Sequence, residues 1–440
     1  MAHSKYTILT YGCQMNESDS QRMGAQLEAL GSEKTNVLDE ADIILLNTCC
    51  VRESAENKIY GKIGEIKHLK QRNHELIFGI VGCMAQKEGD ALFKRAPHID
   101  FVLGTNNIHE LNNIITDIRL SHHHMTKLAP ADGGTPEEVA PPTGNSLSVW
   151  VPIMYGCNNF CTYCIVPYVR GREHSRPMQA ILDEVEKYSQ DGVKEITLLG
   201  QNVNSYGKDS ADGDFADLLY NLDKITGLER IRYMTSHPRD LNDKVIETIK
   251  NSKHICTHFH LPVQYGSNRI LKAMNRGYTV ESYQQLVQKI RAAIPDCSLT
   301  TDLIVGFPGE TDDDFQQMLS FLKQMRYDAA YTFLYSKRSG TPAASMENQV
   351  DDIVKKKRLA KLMAVQNEIS LQINETFINK TVQVMVEGPS RTDASVYTGR
   401  TSTNKLILWQ KCGTEKAGDI LNVKITHPQT WILKGEAQYA

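Results

Sequence analysis

The sequence predicts an α/β protein in three parts: an N-terminal doubly wound parallel sheet, a central (β/α) barrel, complete or partial, and a small all-β barrel at the C-terminus. Three observations lead there. Short apolar runs alternate with amphipathic stretches in residues 5–118 and again in 147–350, the pattern of parallel sheets built from strand–helix units. A Pro- and Gly-rich stretch separates the two series, as a linker would. Residues 380–438 change to short strand-like runs punctuated by glycine, which fits a small closed barrel. A chain of 440 residues is also too long for one ordinary core.

Taken in order, the N-terminal domain is expected over 3–119. Its units are YTILT, the amphipathic ESDSQRMGAQLEAL ending at Gly31, ADIILLN, a polar helix-like stretch from Arg52 to Asn73, LIFGIVG and IDFVLG. The linker, 120–146, holds the triplet His122–His124; solvated loop histidines are the plain reading and a metal site the alternative. The central domain is expected over 147–375, with strands at SVWVPIMYG, EITLLG, IRYMTS, CTHFHLP, LTTDLIVGF and DAAYTFLY. Six such units suggest a barrel; a second open doubly wound sheet is the alternative. A helix from Asp351 to about Asn374 leads into the last domain, 378–439.

Composition narrows the function classes. Hydrophobic residues make 41% and charged residues 23%, ordinary for a soluble chain. No apolar run approaches the ~20 residues of a membrane span, and the N-terminus lacks the pattern of a secretion signal, so a cytoplasmic protein with no membrane partner is expected. Ten cysteines in a reducing compartment read as metal ligands or packing residues rather than disulfides. The net charge is −3, but from Lys380 onward eight Lys/Arg stand against five Asp/Glu, a weak pointer to an acidic partner for the tail.

The cysteines carry the chemistry. Cys157, Cys161 and Cys164 stand in a C-x₃-C-x₂-C loop directly after a predicted strand. Three thiolates at that spacing can ligate three irons of a cubane iron–sulfur cluster and leave the fourth open to a chelating small molecule. A zinc site completed by His174, or three packing cysteines, are the alternatives. Cys13, Cys49 and Cys83 each follow a different predicted strand. The C-terminal ends of parallel strands share one edge, so the three can meet there as a second metal site. That geometry does not choose between zinc and iron–sulfur.

With Tyr163 before its last cysteine, the central loop resembles the radical S-adenosylmethionine (SAM) signature. The longer string GCNNFCTYCIVPYVRGREHSR resembles the methylthiotransferase branch of those enzymes. The resemblance implies a 4Fe-4S cluster on Cys157, Cys161 and Cys164 that cleaves SAM to a 5′-deoxyadenosyl radical. Leu199–Val203, Thr235–Pro238, Leu261–Gln264 and Asp302–Gly309 match the same core domain. The carry-over places Tyr163, Gln201, Asn202, Ser236 and His237 near SAM. It assigns no catalytic role to side chains beyond the cluster ligands. Glu173 and Arg176 sit in the polar loop after the cluster, where a surface ion pair is the alternative. Tyr265 departs from the family, which usually has a small residue there.

Tyr11–Asn16, Asn47-Thr48-Cys49 and Val81–Gln86 resemble the N-terminal methylthiotransferase domain. This implies an auxiliary 4Fe-4S cluster on Cys13, Cys49 and Cys83 whose open iron holds the sulfur to be inserted. Cys50 is a departure, and alignment on Asn-Thr-Cys favours Cys49. Cys256 and Cys297, in predicted strands, and Cys412 match no ligand pattern and are expected to pack. The last sixty residues resemble a TRAM domain, a small RNA-binding barrel, with Arg391, Tyr397, Arg400, Lys405, Trp409 and Lys411 as candidate RNA contacts. Lys355–Arg358 form a charge run expected to be solvated, with added phosphate contacts as the alternative.

The resemblance covers nearly all of the chain outside 121–146. The segment Asn47–Ala55 is similar to the branch acting on isopentenylated adenosine. This implies transfer of a methylthio group to carbon 2 of N(6)-isopentenyladenosine at tRNA position 37, with two SAM per product. The implied partners are the tRNA anticodon stem-loop carrying that base, an external electron donor, and iron–sulfur or sulfur delivery proteins. The alternatives are a methylthiotransferase acting on threonylcarbamoyl-adenosine or on a ribosomal-protein aspartate, and a non-catalytic zinc-containing RNA-binding protein.

Overall fold

The computed structural model describes residues 4–49, 53–121, 123–129, 146–411, 413 and 415–438, with backbone alone at 53–57. Cys50, Val51, Arg52, His122, Cys412 and most of the expected linker lie outside the described residues.

The N-terminal sheet has six strands: β1 (Lys5–Thr10), β2 (Glu33–Lys34), β3 (Ile43–Thr48), β4 (Ile77–Gly82), β5 (Phe101–Leu103) and β6 (Met125–Lys127). Their order is β2-β1-β3-β4-β5-β6, and every pairing is parallel. β3 and β4 are buried along their whole length. Unbroken apolar runs of this kind arise when helices cover both faces. On one face Ile44, Leu46, Phe78 and Ile80 pack with Ile59, Ile63 and Ile66 of the helix Glu53–Arg72. On the other, Ile43, Leu45, Ile77 and Val81 pack with Met23, Leu27, Ile114 and Ile118. The sheet is therefore doubly wound, as expected. It also runs past residue 119: β6 lies inside the expected linker and pairs with β5. Three residues with one apolar side chain carry no periodic signal.

The central domain has strands β7 (Ser148–Pro152), β8 (Met154–Tyr155), β9 (His174–Ser175), β10 (Glu195–Leu199), β11 (Arg230–Tyr233), β12 (His258–His260), β13 (Ser298–Val305) and β14 (Ala329–Leu334). β7-β10-β11 and β12-β13-β14 are parallel sheets. A parallel bridge between Ile231 and Ile255 joins them. No pairing between β7 and β14 occurs among the described residues, so the barrel is a partial one of six parallel strands. The short antiparallel pair β8–β9 braces one end. One continuous apolar core runs under all six strands. Cys256 and Cys297 stand just before β12 and β13 rather than in them. Cys256 is buried and Cys297 packs against the core.

The helix Asp352–Glu375 leads to the last domain, a closed barrel of β15 (Thr381–Pro389), β16 (Val396–Arg400), β17 (Leu406–Gln410), β18 (Ile420–Pro428) and β19 (Leu433–Gln438), in the order β15-β16-β17-β19-β18. It is seated at the N-terminal end of the central strands. Arg230 donates to Arg400 O, Arg232 Nη2 to Thr401 O at 3.0 Å and Ser298 Oγ to Thr403 O at 2.7 Å. Lys405 Nζ pairs with Asp328 at 2.7 Å. The N-terminal domain meets the opposite end, where Ile165 and Val169 enter its core.

Candidate active site at the strand ends

β1, β3 and β4 are neighbours in the N-terminal sheet, and their C-terminal ends carry Cys13, Cys49 and Cys83. Cys13 caps the helix Gln14–Ala29 and is exposed. Cys49 and Cys83 are buried. The local chain is tightly held. Asn16 Nδ2 donates to Asn47 Oδ1 at 3.0 Å and to Thr48 O at 3.2 Å. Asn47 Nδ2 returns a bond to Asn16 O at 2.8 Å. Cys13 Sγ donates to Asn16 Oδ1 at 3.4 Å. A Cβ on Gly12 would stand 3.0 Å from that of Cys49, so the β1 and β3 ends are in close contact.

Two features of this edge were not foreseen. Arg170, which follows the central cysteine loop, reaches in and donates from Nε to Cys83 Sγ at 3.3 Å. Its Nη2 pairs with the buried Asp19 at 2.9 Å. Burial pushes the Cys83 thiol up while the Arg170 charge opposes it. The signal available was the string VPYVRG itself, where one arginine follows an apolar run.

The central loop is a compact wrap. Cys157 N donates to Gly171 O at 3.0 Å and Cys164 N to Cys161 O at 2.9 Å. Gly156 has φ +73, and a Cβ there would overlap the Gly171 and Arg172 carbonyl oxygens; only glycine allows this approach. Thr162 ties the loop to Ala273 O at 2.9 Å. Arg276, also unforeseen, is buried and donates from Nη1 to Cys161 Sγ at 3.2 Å and to Tyr163 OH at 3.4 Å. Burial pushes the Cys157 thiol up to about 11 and the Cys164 thiol up to about 12. Thiols so desolvated ionise when a metal supplies the opposing charge. No group of three or more described His, Cys, Asp or Glu side chains is placed to hold a metal ion. Ligands of one cluster bind separate irons, and so need not converge on one point as the ligands of one zinc do.

The residues expected near SAM divide. Tyr163 lines a cavity of about 540 Å³ beside Cys164, with Gln264, Asp302, Thr332 and Arg338; its size falls within the usual range for small-molecule sites. Gln201, Asn202, Ser236 and His237 do not line it; they stand at the ends of β10 and β11. Asn202 is fully engaged, accepting from His237 N at 3.1 Å and donating to Asp240 at 2.7 Å. Gln201 Oε1, Ser236 Oγ and His237 Nε2 are buried with no protein partner among the described residues. His237 Nδ1 accepts from Arg239 N at 3.3 Å, so Nε2 carries the proton. Burial and the Arg276 charge lower His237 to about 3. The ring is a neutral donor lacking an acceptor, which fits a polar ligand. Asn204 has both side-chain amide atoms buried and unpartnered as well, and was missed. Phe160, Thr235 and Gln264 take positive φ at this same strand end. Such strain in non-glycine residues gathers at functional sites.

Other expectations are corrected. Glu173 and Arg176 do not pair. Glu173 accepts from Asn158 N at 3.2 Å, and the buried Arg176 holds Glu184 at 2.6 Å and Pro152 O at 2.7 Å. His174 turns to Asp209, 3.8 Å away. His124 Nδ1 donates to Ile99 O, 2.7 Å away. Tyr265 is wholly buried in the central core. Tyr397 and Trp409 fill the core of the C-terminal barrel. Arg400 pairs with Glu387 at 3.0 Å, and Lys405 is taken by Asp328 and Asn374. Arg391 and Lys411 remain exposed. The run Lys355–Arg358 splits. Lys356 and Lys357 are exposed, whereas Arg358 binds Glu310 at 2.9 Å and Asp312 at 2.6 Å and Lys355 packs over Tyr335. Periodicity did not mark two exposed aromatics, Tyr331 (53%) and Trp431 (59%). They line a cavity of about 410 Å³ between the central domain and the small barrel.

A partial six-stranded barrel with a strand-end loop of three cysteines defines a radical SAM enzyme. Residues 151–322 match the Radical SAM superfamily, and residues 5–104 match Uncharacterized protein family UPF0004. The chain belongs to the family of tRNA-2-methylthio-N(6)-dimethylallyladenosine synthases. It is 49% identical over 440 residues to the protein of that name from Desulforamulus reducens, covering 99% of this chain and 96% of the relative. It is 50% identical over 439 residues to that from Carboxydothermus hydrogenoformans, covering 99% of each. Among solved structures, the fold is shared with the radical SAM methyltransferase TsrM from Kitasatospora setae (TM-score 0.56, 13% identity, 78% of this chain and 77% of that one). It is shared also with the cobalamin-dependent radical SAM enzyme OxsB (TM-score 0.52, 14% identity, 84% and 56%).

Proposed function

We propose that this enzyme adds a methylthio group to carbon 2 of N(6)-dimethylallyladenosine at tRNA position 37, with a 4Fe-4S cluster on Cys157, Cys161 and Cys164, an auxiliary 4Fe-4S cluster on Cys13, Cys49 and Cys83, and two SAM per product. One observation carries it: three adjacent parallel strands bring Cys13, Cys49 and Cys83 to a single edge, and the chain leaving the central cysteine loop touches that edge through Arg170. Bound there, the clusters and SAM supply sulfur, a methyl group and a one-electron route to a carbon radical, which an unactivated aromatic C–H requires.

The chain's own residues do the rest. Arg276 holds Cys161 and Tyr163 in place. His237 Nε2–H, Gln201 Oε1 and Ser236 Oγ offer polar partners to SAM on one side of the strand ends. The cavity bounded by Tyr163, Cys164 and Phe333 shields a base on the other; a base in a loop needs little duplex opening to enter. Exposed Arg391, Lys411 and Trp431 support contact with the RNA. An external electron donor and a source of sulfur complete the scheme. No helix among the described residues is long and apolar enough to cross a membrane.

The test is to give reconstituted enzyme isopentenylated tRNA, threonylcarbamoylated tRNA and ribosomal protein separately. Methylthio product on the first alone is expected; its absence there overturns the substrate assignment. Iron analysis should find about eight irons per chain for two clusters. Zinc without sulfide would overturn the radical chemistry.

A further inference from the structure

The two cysteine sites are joined by one turn of chain, Val169-Arg170-Gly171. Val169 O accepts from Thr105 Oγ1 of the N-terminal domain at 3.1 Å. Gly171 O accepts from Cys157 N at 3.0 Å. Between them, the Arg170 side chain crosses to the sheet edge and binds Cys83 Sγ and Asp19. Arg170 is 6% exposed and Asp19 4%. Taking such a pair out of water is costly, and fold stability alone is weak grounds for it. Val169, its neighbour in sequence, and Met84, next to Cys83, both belong to the apolar core of the N-terminal domain. The compensation comes from a carboxylate on the helix that Cys13 caps and from a cysteine sulfur. Burial opposes the charge on Arg170, while Cys83, Asp19 and Cys13 sustain it.

We propose that Arg170 is a positioning residue for the auxiliary site. From the radical SAM half of the chain it hydrogen-bonds the Cys83 sulfur and, balanced by Asp19, sets the reduction potential of the cluster those cysteines hold. The inference rests on the assignment of Cys13, Cys49 and Cys83 to that cluster. Cluster potentials follow local net charge and hydrogen bonds to the sulfurs, and partners outside the ligand set tune a metal site strongly. Arg170 contributes a positive charge and Asp19 a negative one. Removing each should move the potential in opposite directions, which a purely structural pair would not do.

The experiment uses the full chain carrying Cys157→Ala, Cys161→Ala and Cys164→Ala, so that only the N-terminal site keeps iron. The midpoint potential is read by redox titration followed by electron paramagnetic resonance. Arg170→Gln should lower the potential and Asp19→Asn should raise it. Arg170→Lys keeps the charge but loses the fork of donors, and should fall between Arg170→Gln and the parent. In the otherwise intact enzyme, Arg170→Gln should keep 5′-deoxyadenosine formation while methylthio product falls about tenfold or more. Shifts of the same sign in Arg170→Gln and Asp19→Asn, or no shift in either, would overturn the proposal. If Arg170→Gln loads little iron, Asp19→Asn decides by itself: a raised potential supports the proposal and an unchanged or lowered one refutes it. Cys83→Ala in the same background separates the two levels. Loss of iron upholds the ligand assignment, and full retention refutes that assignment and with it the role of Arg170.

Discussion

The two cysteine sites are built in opposite ways. Cys157, Cys161 and Cys164 occupy eight residues of one loop, which Gly156 and Gly171 fold and which residues 273–276 of the same domain brace. Cys13, Cys49 and Cys83 span seventy-one residues and depend on three strands lying side by side. Yet each site has one cysteine sulfur gripped by a buried arginine: Arg276 on Cys161 at 3.2 Å and Arg170 on Cys83 at 3.3 Å. Arg276 belongs to the same domain as its cysteine, and Arg170 comes from the other domain. A local loop can be completed by its own surroundings. A dispersed site can be wired to its neighbour.

The largest effect should separate the two sites outright. Cys157→Ala should abolish SAM cleavage, whereas Cys13→Ala should leave cleavage partly intact and stop sulfur insertion; 5′-deoxyadenosine and methylthio-nucleoside assays read both. Complete loss of cleavage in both folded variants would break the division of labour.

Next, Gly156→Ala should cost the central site most of its iron, because φ is +73 and a Cβ meets two carbonyl oxygens, while the N-terminal iron persists. Iron content of the variant checks this; an unaltered count would show that the contacts with residues 273–276 hold the loop without that turn.

Ile165→Ala strikes the seam. Its side chain is buried in the N-terminal core although it follows Cys164 in sequence. A loss of about 2–4 kcal/mol is expected, measured by denaturant unfolding of the apo chain. A change confined to the central domain's transition would argue against the docking.

A smaller effect tests whether the arginines are alike. Arg276→Lys should slow SAM cleavage several-fold and leave N-terminal iron unchanged, since a lysine reaches one of the partners Cys161, Tyr278 and Pro262 O but not all three. The smallest should be Trp431→Ala, raising KM for tRNA about fivefold with kcat little changed, the lower end of the about 1–3 kcal/mol that a ring stacked on a base contributes.

The central loop was legible because spacing alone encodes it. The common edge of Cys13, Cys49 and Cys83 was legible one step further on, since parallel strands must end together. What failed was any reading of single charged or aromatic residues. Trp409 and Tyr397 looked like RNA contacts and are core; Arg358 and Lys405 looked solvated or RNA-facing and are ion-paired. Residue type says what a side chain can do, and only its neighbours say what it does.

By itself, then, the sequence determined the three-part α/β order, the six central strands and the cysteine positions, because these follow from periodicity and local spacing. Tertiary structure alone decided that the barrel stays open and that the small β-barrel sits at the end of the strands opposite the cysteines. It also decided that Arg170, next to the central cysteine loop, reaches the sheet edge that carries Cys13, Cys49 and Cys83. Those are contacts between residues distant in sequence, such as Arg170 with Cys83 and Arg230 with Arg400. They arise from how finished domains bury surface against each other, and no local pattern records that.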